Sequence, residues 1–192
     1  MDKITNGAST PVNSGVYIYP GSFDPVTFGH LDIIERASGI CGRLIIAVGQ
    51  NRDKRSMFTV GERMQMLGDV IKGIRPNTME RIRPDGGRGP ADIEITSFDG
   101  LLIDFAKKHG ASVIVKGLRA MSDFEYEFQM ALMNKYLDGS IETIFMMTNV
   151  QYTYLSSRAV KEIAINGGRL DGLVPECVIE RIQKKAHNGA SM

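Results

Sequence analysis

Five short apolar runs recur along the chain, at residues 16–19, 44–48, 93–97, 112–115 and 141–147, each rich in Val, Ile, Leu or aromatic residues. Runs of that length and composition read as strands, the fully apolar ones as buried. Between the first two, Leu31, Ile33, Ile34 and Ala37 fall at helical spacing over 30–38, and glycines at 39 and 42 end that helix. Thr59 and Glu62 form the capping box of a second helix to about Lys72. A third covers 100–109 and is closed by Gly110, and a fourth starts at Asp123, with Ser122 and Glu125 as its capping box. Ser156 or Ser157 caps a fifth, and Pro175 opens a last one to about Ala186. Strand, helix, strand in this order requires right-handed crossovers and a parallel sheet. The expected fold is therefore α/β: a doubly wound, Rossmann-like sheet of five parallel strands with helices on both faces and helices at the C-terminus.

The polar stretches set the boundaries. Residues 1–15 are rich in Asn, Ser, Thr, Gly and Pro without periodicity and read as a mobile tail; 16–186 form one domain; 187–192 are expected to fray. Residues 74–92, dense in proline, glycine and arginine, read as an inserted surface loop, either a solvated excursion or an arginine-bearing flap over an anionic ligand.

Composition narrows the function. With 192 residues, 43% of them apolar, the chain can bury one full core. Its 23 basic and 22 acidic residues leave no polybasic field, so a general nucleic-acid partner is not expected and any anion site must be local. Cys41 and Cys177 lack metal-ligand spacing and read as free thiols of a reducing compartment. Neither a membrane span nor a signal-peptide core stands out, so a cytoplasmic protein is expected.

In a parallel sheet, ligands bind beyond the carboxyl ends of the strands. The loop after the first strand reads YPGSFDPVTFGH, with Gly21 for close backbone approach, the Ser22 hydroxyl, and Thr27 to cap a helix that begins near Gly29 and His30. A helix N-terminus beside a histidine suits a phosphate. The loop after the second strand carries Arg52, Lys54 and Arg55; after the fourth comes KGLRAMSDFEYE; after the fifth, QYTYLSSR leads into a helix start rich in hydroxyls.

Thr27-Phe28-Gly29-His30 resembles the (T/H)xGH signature of the nucleotidylyltransferase superfamily. YPGSFDPVTFGH and KGLRAMSDFEYE together resemble the phosphopantetheine adenylyltransferase family, from about 16 to 186. The resemblance implies adenylyl transfer from ATP to 4′-phosphopantetheine, with Mg²⁺ carried by ATP rather than by side chains, in a homohexamer. It implies catalytic roles for His30, Lys54 and Arg119. The acceptor would be held by Ser22, Lys54, Leu101, Leu102 and Lys116. ATP would be held by Ser22, Phe23, His30, Gly117, Leu118, Arg119 and Glu127, and by Tyr152, Thr153, Tyr154, Leu155, Ser156, Ser157 and Arg158. The family commonly has arginine at Lys116 and a third serine at Arg158. A helix from Asp123 that is apolar around most of its circumference fits assembly. Two other readings stay open on the residues alone: another acceptor, such as nicotinamide mononucleotide, or a nucleotide sensor without turnover.

Overall fold

The computed structural model describes residues 15–50, 56–73, 91–119 and 121–189. The elements alternate: β1 (Val16–Gly21), α1 (Phe28–Ser38), β2 (Arg43–Gly49), α2 (Val60–Gly73), β3 (Asp92–Phe98), α3 (Leu102–Lys108), β4 (Ala111–Leu118), α4 (Met121–Leu137), β5 (Glu142–Met147), α5 (Ser157–Ile165) and α6 (Glu176–Gly189). All five strands are parallel, in the order β3-β2-β1-β4-β5. The sheet is doubly wound, as its pattern predicts.

Period-two alternation divides the core between the two faces. Tyr17, Tyr19, Leu44, Ile46 and Val48 share one cluster with Ile33 and Ile34 of α1, Leu67 of α2 and Ile182 of α6. Ile18, Ile45, Ala47 and Ile114 point the other way, onto Ile103 and Ala106 of α3. β1 to β4 is the switch point of the strand order, where α/β sheets place their ligands. β1 stays paired with β2 as far as Gly21 opposite Val48, but its pairing with β4 ends at Ile18 opposite Ile114. Beyond that point β4 runs on beside β5 to Leu118 opposite Met147. The two central strands therefore part, and a cleft opens between them.

Several boundaries differ from the sequence reading. Pro20 and Gly21, expected to stop β1, belong to it, because both pair with β2. Lys116, Gly117 and Leu118, expected in a loop, are strand residues paired with Phe145, Met146 and Met147. α3 starts later than expected, after Gly100 at φ 86° and Leu101 as the N-cap. α4 starts at Met121, so Ser122 lies inside it rather than capping it. α6 extends through Gly189, beyond Ala186 and into the residues expected to fray. Asp92 already belongs to β3, and the rest of the expected insertion, 74–90, lies outside the described residues. Its two anchors, the end of α2 and the start of β3, sit away from the carboxyl ends of the strands; Ala91 N–H donates to Ser38 O at the end of α1.

Candidate active site

The cleft holds about 470 Å³. Its floor is Tyr19 to Ser22 with Thr27, Gly29 and His30, one wall is Lys116, Gly117 and Arg119 with α4, and the other is 155–158 at the start of α5.

Thr27 caps α1, with extended backbone and its hydroxyl accepting from His30 N–H at 3.4 Å. His30, the third helical residue, completes the box: Thr27 N–H donates to its Nδ1 at 3.0 Å. An Nδ1 that accepts a backbone N–H must carry its lone pair there, so the neutral ring has its proton on Nε2. Burial, reinforced by the Arg119 charge, lowers the imidazole pKa to about 4. His30 is thus a neutral donor held by a cap, and the structural role and the site role coincide in one side chain. As a phosphate cradle, the N-terminus of α1 offers less than its sequence suggests. Phe28 N–H donates to Leu173 O and His30 N–H to Thr27, leaving the Gly29 N–H.

Arg119 is aimed from two sides. Its Nε and Nη2 donate to Asp123 at 2.9 and 3.2 Å, and Nη1 donates to Leu155 O at 3.2 Å. Three of its five N–H groups are engaged, and two remain for an anion. Lys116 Nζ lies 3.1 Å from Glu127 Oε2, yet this contact lacks hydrogen-bond alignment and leaves that buried oxygen without a hydrogen bond. The Lys116–Glu127 pair is an attraction of charges that a ligand can redistribute. Ser156 caps α5 by accepting from Ala159 N–H at 3.0 Å. Its own O–H, the helix N-terminus and Arg158 stand at the cleft.

Several expected site residues serve elsewhere. The Phe23 side chain is fully buried and edge-on to both Tyr19 and His30, with φ at 48°; it supports the imidazole and does not face the cleft. The space above Gly21 that seemed open to a ligand is filled by that ring, only 2.8 Å from where a Cβ would stand. Gly117 lines the cleft, but a Cβ there would press on Ile33 at 3.2 Å, so packing also demands glycine. Leu118 is core. Ser157 donates its hydroxyl to Pro25 O at 2.7 Å. Tyr152 stacks on Phe28, Thr153 Oγ1 donates to Val150 O, and Tyr154 faces solvent; none of the three lines the cleft. Leu101, exposed, and Leu102 lie after β3, also outside it. Lys54, Arg52 and Arg55 lie outside the described residues.

Sequence reasoning missed Asp123, Tyr126, Thr148 and Tyr19, all of which line the cleft. Asp123 could have been found, since it stands four residues after Arg119 where the strand turns into a helix. Among the described residues no group of three or more His, Cys, Asp or Glu is placed to hold a metal, and no helix is long and apolar enough to cross a membrane. The cleft is a cationic slot with one neutral imidazole donor, suited to polyphosphate.

A family model described as cytidylyltransferase-like matches residues 18–163. A phosphopantetheine adenylyltransferase of Clostridium tetani (strain Massachusetts / E88) is 50% identical over 173 residues, covering 90% of this chain and 98% of that one. One of Clostridium botulinum (strain Langeland / NCTC 10281 / Type F) is 50% identical over 171 residues, covering 89% and 94%. Among solved structures, Plasmodium falciparum nicotinic acid mononucleotide adenylyltransferase complexed with NaAD superposes with a TM-score of 0.59 at 14% identity, covering 88% of this chain and 94% of that one. That likeness speaks for the fold.

Proposed function

The chain belongs to the phosphopantetheine adenylyltransferase family, and we propose that the cleft between β1 and β4 is where it works. The protein transfers the adenylyl group of ATP to 4′-phosphopantetheine, giving 3′-dephospho-coenzyme A and pyrophosphate, a step of coenzyme A synthesis. The observation that carries the site assignment is the cleft itself: the (T/H)xGH histidine with a fixed Nε2 proton faces Lys116, Arg119 and a capped helix start.

The attacking group is a phosphate oxygen that is anionic at neutral pH, so no base is needed. What the site must supply is alignment of two polyanions and stabilisation of charge on the α-phosphate and the leaving pyrophosphate. His30 donates Nε2–H to the α-phosphate. Arg119, Arg158 and the start of α5 hold the donor's phosphates, Lys116 and Ser22 hold the acceptor's phosphate, and Lys54 bridges the two. Leu101 and Leu102 border the path of the pantetheine arm. Mg²⁺ would shield the phosphate charge; with Asp123 hydrogen-bonded to Arg119 and Glu127 paired in charge with Lys116, it would be carried by ATP and water.

The same reading makes the protein a cytoplasmic homohexamer. α4 supports assembly, because Tyr126, Leu132, Met133 and Tyr136 stand more than half exposed along it. A monomeric mass by light scattering at micromolar concentration would contradict the hexamer. The activity is tested by pyrophosphate release from ATP and Mg²⁺ with 4′-phosphopantetheine, with nicotinamide mononucleotide or with no acceptor. Release only with phosphopantetheine is expected; equal release with the mononucleotide overturns the acceptor assignment.

A further inference from the structure

Asp24 lies in the β1–α1 loop between Ser22 and His30 and is 4% exposed. A carboxylate so deeply buried must be fully partnered. Its partners come from two other parts of the site. Met57 N–H donates to Oδ2 at 3.1 Å and Phe58 N–H to Oδ1 at 2.9 Å, which fixes the chain where it leaves the β2–α2 connection. Lys161 Nζ donates to Oδ2 at 2.7 Å from α5, one turn beyond Arg158. The neighbouring bonds are to backbone: Ser157 Oγ to Pro25 O, and Arg63 Nη1 to Ser22 O and Gly49 O at 2.7 and 3.1 Å. Of these groups, Asp24 alone gathers the β1–α1 loop, the start of α2 and α5 on one side chain.

We propose that Asp24, with Lys161, is a positioning residue for adenylyl transfer, setting the distance between the loop that leads into His30 and the helix that holds the donor's phosphates. The inference rests on the adenylyl-transfer reading above. Each loop keeps its own ligand groups without Asp24, so each substrate still binds. In-line attack depends on the spacing between loops, and a displacement of about 1 Å can cost on the order of a hundredfold in rate. Loss of the hub therefore falls on turnover rather than on affinity.

Asp24→Asn keeps the shape but offers one acceptor oxygen where two were used, and turns an amide NH₂ towards a donor. Its kcat is expected to fall by about tenfold to a hundredfold, with dissociation constants for ATP and 4′-phosphopantetheine within about threefold of native. Lys161→Met should show the same pattern more weakly, and Lys161→Arg, which keeps the cation, should restore kcat to within about twofold. The double variant Asp24→Asn/Lys161→Met should lose less than the product of the single effects, because one ion pair is counted once. A kcat for Asp24→Asn within about twofold of native, or weaker binding of both substrates at unchanged kcat, overturns the positioning role. Native protein that binds ATP but releases no pyrophosphate with phosphopantetheine overturns the adenylyl-transfer reading instead, and the inference with it.

Discussion

Replacing His30 tests the cap and the chemistry in the same residue. His30→Ala removes the Nε2–H donor and the Nδ1 acceptor of Thr27 N–H, and leaves the Thr27 hydroxyl still capping the helix. Loss of one preorganised donor to developing phosphate charge costs about 10²- to 10³-fold in kcat, or roughly 3–4 kcal/mol. Loss of half a capping box costs about 1 kcal/mol of stability, which in a domain of this size lowers Tm by about 2–4 °C. His30→Gln separates the two effects. Glutamine is the ordinary partner in a Thr-x-x-Gln capping box, so its amide oxygen can take the Thr27 N–H and recover the stability. That amide cannot also place an N–H on the line of the imidazole Nε2, so turnover should stay down by at least about tenfold. The assays are steady-state pyrophosphate release and thermal melting on the same preparations. A folded His30→Ala protein turning over within about threefold of native would remove His30 from the chemistry. A Gln variant as unstable as Ala would remove it from the cap.

Other consequences follow from the same geometry. The folded imidazole pKa of about 4 lies below the ordinary 6.5, so the unfolded chain takes up the proton first. His30 therefore contributes stability above about pH 6.5 that is lost as pH falls towards 4, and urea midpoints of native and His30→Gln protein, alike above that range, should separate within it, the native midpoint falling below that of the variant. By the same reasoning kcat should show no inflection near pH 6.5 due to His30; an inflection there that vanishes in His30→Gln would refute the neutral-donor assignment. Arg63→Met leaves Ser22 O and Gly49 O without the buried guanidinium, and should lower unfolding free energy by about 1–3 kcal/mol in urea titrations. Gly117→Ala should cost about 1–3 kcal/mol, because its methyl meets Ile33 at 3.2 Å and Tyr19 Oη at 3.4 Å; unchanged stability would show that the two side chains give way freely.

The strands were legible where burial made them apolar. Leu44 to Val48 is an unbroken apolar run, and all five residues are buried. Legibility fails at the strand ends nearest the cleft. Pro20, Gly21, Lys116 and Gly117 have the composition of a loop because they face a ligand site, yet backbone pairing with β2 and β5 keeps them in the sheet. The site histidine and Arg119 were legible from motif, while the division of labour around them was not. Phe23 resembled a ligand contact and is core; Asp24 and Arg63, to which the sequence assigns no site role, are buried ties between loops. No local pattern marks a residue whose partners lie 33 to 137 positions away.

The chain from 74 to 90 is anchored at the end of α2 and at the start of β3, the outer strand of the sheet, away from the pole where β1 and β4 part. Lengthening such a connection costs only the logarithm of its length in closure entropy, about 0.6 kcal/mol for each doubling. The molecule thus has a working end and a handling end. An affinity tag or a fluorophore joined at Gly73 or Ala91 would be attached at the pole of the sheet opposite the cleft.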